Sequence, residues 1–207
     1  NKKFETKISK LILFFISILI AYLIAKNFNT QILYSTILIA SALYLFFVSI
    51  TDFKNEKLKL SQKVSHSAFS ILIISIILNS LFSEEVSVNL KKGEQKKLSN
   101  YLLKFENISK IEIDNFTSLK AEIHVIENDS KLKFYPELRL YKVPETITSE
   151  ADIKTDLFSD NLVVVNYLKD TEYLNIRYQK KPFMLFIWFS AFMLAAGGLI
   201  GLRKNYK

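Results

Sequence analysis

The chain has 207 residues, half of them hydrophobic, no cysteine and a net charge of +8. Without cysteine there is neither a disulfide framework nor a thiolate metal centre. The positive charge does not read as a nucleic-acid footprint, because it is segregated: residues 83–181 hold 16 Lys and Arg against 17 Asp and Glu, and the remainder holds 12 against only Glu5, Asp52 and Glu56.

The apolar residues gather into four blocks, each of the length that a membrane-spanning helix requires. A hydrocarbon core about 30 Å thick takes roughly 20 apolar residues at about 1.5 Å rise each. The first block, 8–28, has an uncharged centre from Leu11 to Ala25, with Lys10 and Lys26 placed to reach the two interfaces. It lacks a small-residue cleavage site, and a signal peptide would in any case explain one block rather than four. The second runs over 31–50 and is followed by a loop containing Lys54, Lys57, Lys59 and Lys63. The third, 64–82, carries His66 near its start. The fourth, 182–202, contains Gly197 and Gly201, a Gly-x-x-x-Gly spacing that admits close approach of another helix. Trp188 and the phenylalanines around it are expected in a lipid-facing stripe or in ordinary membrane packing.

Of the 12 bases outside 83–181, 11 fall on one side of these blocks, and only Lys26 falls on the other. By the positive-inside rule both termini and the loop from Thr51 to Lys63 are expected in the cytoplasm, or in the matrix of a mitochondrion. Residues 83–181 are then expected outside. The basic clusters act as orientation signals, so the partner they imply is the lipid bilayer, anionic headgroups included, and no nucleic acid.

Region 83–181 alternates with a period of two and predicts antiparallel sheet. Val86, Val88 and Leu90 alternate with polar residues, a charged turn spans Lys91 to Lys97 around Gly93, and Tyr101, Leu103 and Phe105 alternate again, with Ile111 and Ile113 continuing the pattern. From Leu119 to Ile126, Ala121, Ile123 and Val125 share one face and Lys120, Glu122 and His124 the other, so His124 is expected to be solvated. Asn128-Asp129-Ser130 predicts a turn. Leu132 and Phe134 resume a strand, Pro136 interrupts it, and Leu138 and Leu140 extend it towards Pro144. Ser149 and Asp152 have the spacing of a capping box, and Ile153 and Leu157 follow at helical spacing, which predicts a short helix. Strands at Leu162 to Leu168 and Tyr173 to Tyr178, joined by a turn at Lys169 to Glu172, complete six or seven short strands. That number fits a small OB-like barrel or a sandwich.

The expected fold is therefore an integral membrane α-helical protein of four transmembrane helices, with a small antiparallel β-rich extracytoplasmic domain inserted between the third and fourth. The division is 1–82 for three helices, 83–181 for the β-rich domain, and 182–207 for the last helix and a basic tail.

Few residues are candidates for chemistry. His66 is an ionisable group near the end of a membrane helix, with Phe69, Ser70 and Ile73 on its face. Neutral imidazole ligates haem iron in membrane bundles, and the plainer role for His66 is an interfacial polar residue packing against a loop. No nucleophile triad, phosphate loop or paired-carboxylate site is present. The sequons at Asn107, Asn115 and Asn128 match too permissive a pattern to carry weight.

The stretch from Lys131 to Val165, with Pro136-Glu137, Arg139 and Tyr141 at its head, resembles the C-terminal region of the CcmF/NrfE family. The family order is similar: a Pro-Glu-x-Arg-x-Tyr core, a Thr-x-Ala helix, then an Asp-Leu-Tyr-Val-like strand. Tyr101 to Phe105 and Asn115-Phe116 upstream, and Lys181 to Phe183, Ile187-Trp188, Gly197-Gly198, Arg203 and Tyr206 downstream, extend the likeness. Ser65-His66-Ser67-Ala68 is similar to the family's Ala-His-x-Gly, with both small flanking residues changed.

This resemblance implies a part in a cytochrome c haem lyase, which attaches haem to the Cys-x-x-Cys-His motif of apocytochrome c. It implies holo-CcmE as haem chaperone and a CcmH-type subunit as partners. It also implies a membrane haem b, with His66 as one axial ligand of the iron, which helps keep the incoming haem reduced with electrons from quinol. The family's WWD segment, its outward-facing haem histidines and its second axial histidine have no counterpart here. The chain is therefore expected to be a truncated form or one piece of a split lyase, completed by the remaining N-terminal CcmF portion and not active alone. The alternative is a non-enzymatic membrane scaffold whose outer domain recruits a partner protein. A transporter subunit would predict broken helices, which the lack of Gly and Pro in the first three blocks opposes. The expected location is the bacterial inner membrane with the β-rich domain in the periplasm, or the mitochondrial inner membrane.

Overall fold

The computed structural model describes residues 2–27, 31–128, 130–168 and 172–203. Residues 169–171 of the expected turn at Lys169 to Glu172, and the tail from Lys204, fall outside them. The chain divides into two compact units, one of residues 1–82 and 182–207 and one of residues 83–181.

The first unit holds α1 (Lys2–Asn27), α2 (Ile32–Asp52), α3 (Leu60–Phe82) and α4 (Met184–Arg203). All four are long and apolar enough to cross a membrane. Lipid tails are as apolar as leucine, so such helices associate through close packing and internal hydrogen bonds rather than through hydrophobic burial. The observed contacts follow that logic. Small residues face inward: Ser17, Ala21 and Ala25 on α1, Ser35, Ala40 and Ala42 on α2, and Ser67, Ala68 and Ser75 on α3 are buried. Large side chains such as Leu33, Phe192, Trp188 and Leu199 are exposed. Ser49 on α2 and Ser70 on α3 share a hydrogen bond of 2.8 Å. At the other end of α3, Asn79 donates to the Pro182 carbonyl at 2.6 Å.

Gly197 faces Ser65 on α3. A Cβ placed there would collide with the Ser65 hydroxyl and lie 3.2 Å from the Ser65 amide nitrogen and 3.4 Å from the Ser61 carbonyl oxygen. Gly201 lies over Ser61 with room to spare, its Cβ position 3.6 Å from Ser61 Cβ. The Gly-x-x-x-Gly spacing thus meets Ser61 and Ser65, themselves four apart, on the neighbouring helix.

The second unit is two antiparallel sheets. β1 (Glu84–Leu90), β10 (Leu174–Pro182), β9 (Ser159–Tyr167) and β8 (Asp152–Thr155) form one, in that order. β2 (Gln95–Leu98), β3 (Tyr101–Glu112), β4 (Phe116–Glu127), β6 (Glu137–Lys142) and β7 (Glu145–Glu150) form the other, and β5 (Ser130–Phe134) pairs with the second half of β4. One core joins them, built from Leu103, Phe105, Ile123, Val125, Phe134, Leu138, Val163, Val165, Ile176 and their neighbours. Tyr101 and Tyr178 meet edge to face inside it at 4.9 Å. Their hydroxyls are satisfied by Glu84 at 2.6 Å and Asn161 at 2.8 Å. Burial pushes both phenols up, and the Glu84 bond adds to the rise at Tyr101.

Five expectations are corrected here. The charged stretch Lys91 to Lys97 is not all turn, because β2 begins at Gln95; Gly93, with φ of +84°, makes the reversal. The predicted helix after Ser149 is absent, and the region is the strand pair β7 and β8. Ser149 pairs with Leu138 and bonds Asn166 at 2.8 Å, and Asp152 accepts from the Tyr135 amide at 2.7 Å. Ile153 and Leu157 are left exposed, so the helical spacing has no buried face to serve. With these extra strands the described residues of the domain form ten, not six or seven.

Ile111 and Ile113 do not continue the core stripe of β3 and are exposed. A β-bulge between Phe105 and Asn107 explains it: Phe105 pairs with Ile123, but the next core contact is Ile108 with Ala121, so the inward phase moves from odd to even positions.

His124 is the remaining correction, for it is buried rather than solvated. It sits on the central strand β4 between Lys104 of β3 and Lys133 of β5. Its Nε2 meets Glu122 at 2.9 Å and its Nδ1 lies 3.0 Å from Glu106, the residue displaced by the bulge. The Nδ1 contact is close enough for charge attraction but off hydrogen-bond geometry. Long neighbouring side chains cover this polar face, which strand alternation by itself does not reveal.

Candidate functional site

His66 stands in the second turn of α3, beside the C-terminal end of α2. Its Nδ1 is 2.7 Å from Asp52 Oδ2, and since an ionised carboxylate only accepts, the imidazole donates. In a neutral ring that bond selects the tautomer whose Nε2 bears the lone pair. The ring borders a cleft of about 490 Å³ lined by Leu45, Val48, Phe69 and Leu194, with Ser49, Ser65 and Asp52. Half of the imidazole remains exposed. Of the neighbours expected on its face, Phe69 shares the cleft, while Ser70 turns inward to Ser49.

A neutral imidazole oriented through Nδ1 by a carboxylate is the usual arrangement of a histidine that ligates a metal through Nε2. The apolar lining suits a flat macrocycle, so these residues fit haem as a ligand. His124, by contrast, lies among Glu106, Glu122 and Lys104. The Lys104 hydrogen bond holds the Glu106 carboxyl below its ordinary range, and the group is a charge network around a buried imidazole rather than a metal site. Among the described residues no group of three or more His, Cys, Asp or Glu is arranged to hold a metal ion.

The CcmF C-terminal beta-sandwich family matches residues 81–182, which are the two-sheet unit and its borders. Residues 81–182 belong to the CcmF C-terminal beta-sandwich family. Among its CcmF/NrfE relatives, the cytochrome c-type biogenesis protein CcmF of Pseudomonas fluorescens is 29% identical over 147 residues, which is 70% of this chain and 22% of that protein. The probable cytochrome c-type biogenesis protein NrfE of Escherichia coli is 22% identical over 161 residues, 77% of this chain and 29% of that protein. A solved structure of the cytochrome c haem lyase CcmF superposes with a TM-score of 0.69 at 11% identity, covering 91% of this chain and 33% of that one. The chain thus spans between a fifth and a third of the length of these CcmF-type proteins.

His66 lies upstream of the matched residues 81–182. Its partner Asp52 was visible in the sequence only as one of three acids outside the β-rich region. The available signal was its position: a carboxylate closing a helix, where the helix dipole disfavours it, in front of a run of lysines.

Proposed function

We propose that this chain is part of a cytochrome c haem lyase, in which His66 is one axial ligand of a membrane haem b. The observation that carries the reading is His66 held through Nδ1 by Asp52 at 2.7 Å beside an apolar cleft. The resemblance of Ser65 to Ala68 to the family's histidine segment supports it. When bound there, the haem would supply a one-electron centre. The protein's own part is to present Nε2 in one tautomer and one orientation, and to line the macrocycle with Leu45, Val48, Phe69 and Leu194.

The second axial ligand belongs to the rest of the lyase, as does the covalent attachment of haem to apocytochrome c. The β-sandwich serves as the docking domain on the outer face of a bacterial inner membrane, towards a CcmH-type subunit, the holo-CcmE chaperone and apocytochrome c. The asymmetry of lysine and arginine supports that orientation.

The test is the visible spectrum of the purified lyase complex containing this chain, beside that of His66→Ala. Reducible b-type bands in the parent, and their loss from an assembled mutant complex, are expected. Unchanged bands in the mutant would sink the ligand assignment. No haem in the parent would favour a scaffold that recruits partners through the β-sandwich.

A further inference from the structure

Asp52 is the last residue of α2 and stands at the head of a loop rich in lysine. A carboxylate at a helix C-terminus is disfavoured by the dipole, and the ready remedy would be an ion pair with Lys54, Lys57, Lys59 or Lys63. None of these is its partner among the described ion pairs. Lys63 donates instead to the Phe53 carbonyl at 2.9 Å, and Asp52 is committed to His66 at 2.7 Å. Its side chain is mostly covered, 23% exposed against 53% for the imidazole, so its orientation is more constrained than that of the ring it holds.

We infer that Asp52 is the positioning residue of His66, fixing the tautomer and the ring plane through Nδ1 and increasing the electron donation of Nε2 to the iron. This rests on the reading of His66 as an iron ligand. A ring hydrogen-bonded to a carboxylate is the more basic ligand and favours the ferric state, so Asp52 holds the haem potential below the value a neutral partner would give.

The experiment uses the haem-loaded lyase complex with Asp52→Asn, Asp52→Glu and His66→Ala, each examined by redox titration and by the ferric low-spin resonance spectrum. Asp52→Asn keeps the side-chain shape and removes the charge. It is expected to move the midpoint potential upward and change the ferric signature, with Asp52→Glu returning both towards the parent. A potential and spectrum unchanged in Asp52→Asn overturn the inference while leaving His66 as ligand. Haem loss from Asp52→Asn supports it if Asp52→Glu restores the haem, and failure of Glu to restore either quantity overturns it. Retention of the parent haem in His66→Ala overturns the ligand reading itself, and Asp52 falls with it.

Discussion

Single side chains in the β-sandwich do work that their exposure hides. Asp156 closes the turn between β8 and β9, accepting from the amides of Phe158 and Ser159 at 2.7 Å each and from the Ser159 hydroxyl at 3.1 Å. Burial pushes its carboxyl up, but those hydrogen bonds outweigh it and hold the group below the ordinary value. A lowered folded value means the stabilisation is complete above the unfolded pKa of about 3.9 and is lost as the pH falls through the lower folded one. Asp156→Ala should therefore cost about 1 kcal/mol at neutral pH, comparable to losing a helix cap. The difference from the parent should shrink in thermal unfolding below about pH 4. A deficit independent of pH would show that the carboxylate charge is not the cause. In the core, Phe134 is fully buried against Tyr178, and Phe134→Ala should cost about 3–5 kcal/mol, read as a lowered unfolding midpoint.

For whole elements, the α3–α4 pair sets three glycines apart by what lies opposite them. Replacing an exposed helical glycine by alanine gains about 1 kcal/mol of helix propensity. At Gly198, where nothing is within 4 Å of a Cβ, that gain should survive. At Gly201, Ser61 stands at ordinary contact distance, so Gly201→Ala should be near neutral. At Gly197 the new methyl meets the Ser65 hydroxyl, which can rotate, and then the Ser65 and Ser61 backbone, which cannot. Overpacking of this kind costs about 1–3 kcal/mol, enough to exceed the propensity gain. Gly197→Ala should thus lower thermal stability in detergent, with Ser65→Ala in the same chain recovering part of the loss. Equal behaviour of Gly197→Ala and Gly198→Ala would remove the close packing from the account.

At the scale of the whole molecule, the distribution of charge supports one orientation of the membrane unit and the β-sandwich. Because the chain has no cysteine, single introduced cysteines report on it without background. In intact cells an impermeant maleimide should label Ser130→Cys in β5 and spare Lys57→Cys in the α2–α3 loop until the membrane is opened. The reverse pattern would invert the topology.

Composition and periodicity were enough for the number of membrane helices and the antiparallel character of the intervening domain, because both are local. A run of about 20 apolar residues is helical in lipid whatever it touches, and alternation marks a half-buried strand wherever it lies. The Lys131 to Val165 stretch also carried the family likeness. What the tertiary structure decided depends on partners distant in the chain. Strand pairing turned the Ser149 capping box into β7 and β8, because Leu138 and Val163 offered ladders that a lone helix could not outweigh. A single extra residue at Glu106 reversed the inward phase of β3, which left Ile111 outside. His124, paired between Lys104 and Lys133 on β4, is buried on a face that reads as polar. His66 was legible as a candidate from its place in an apolar block, but its pairing with Asp52 arises only where the turn between α2 and α3 returns the chain, bringing together residues that local spacing does not relate.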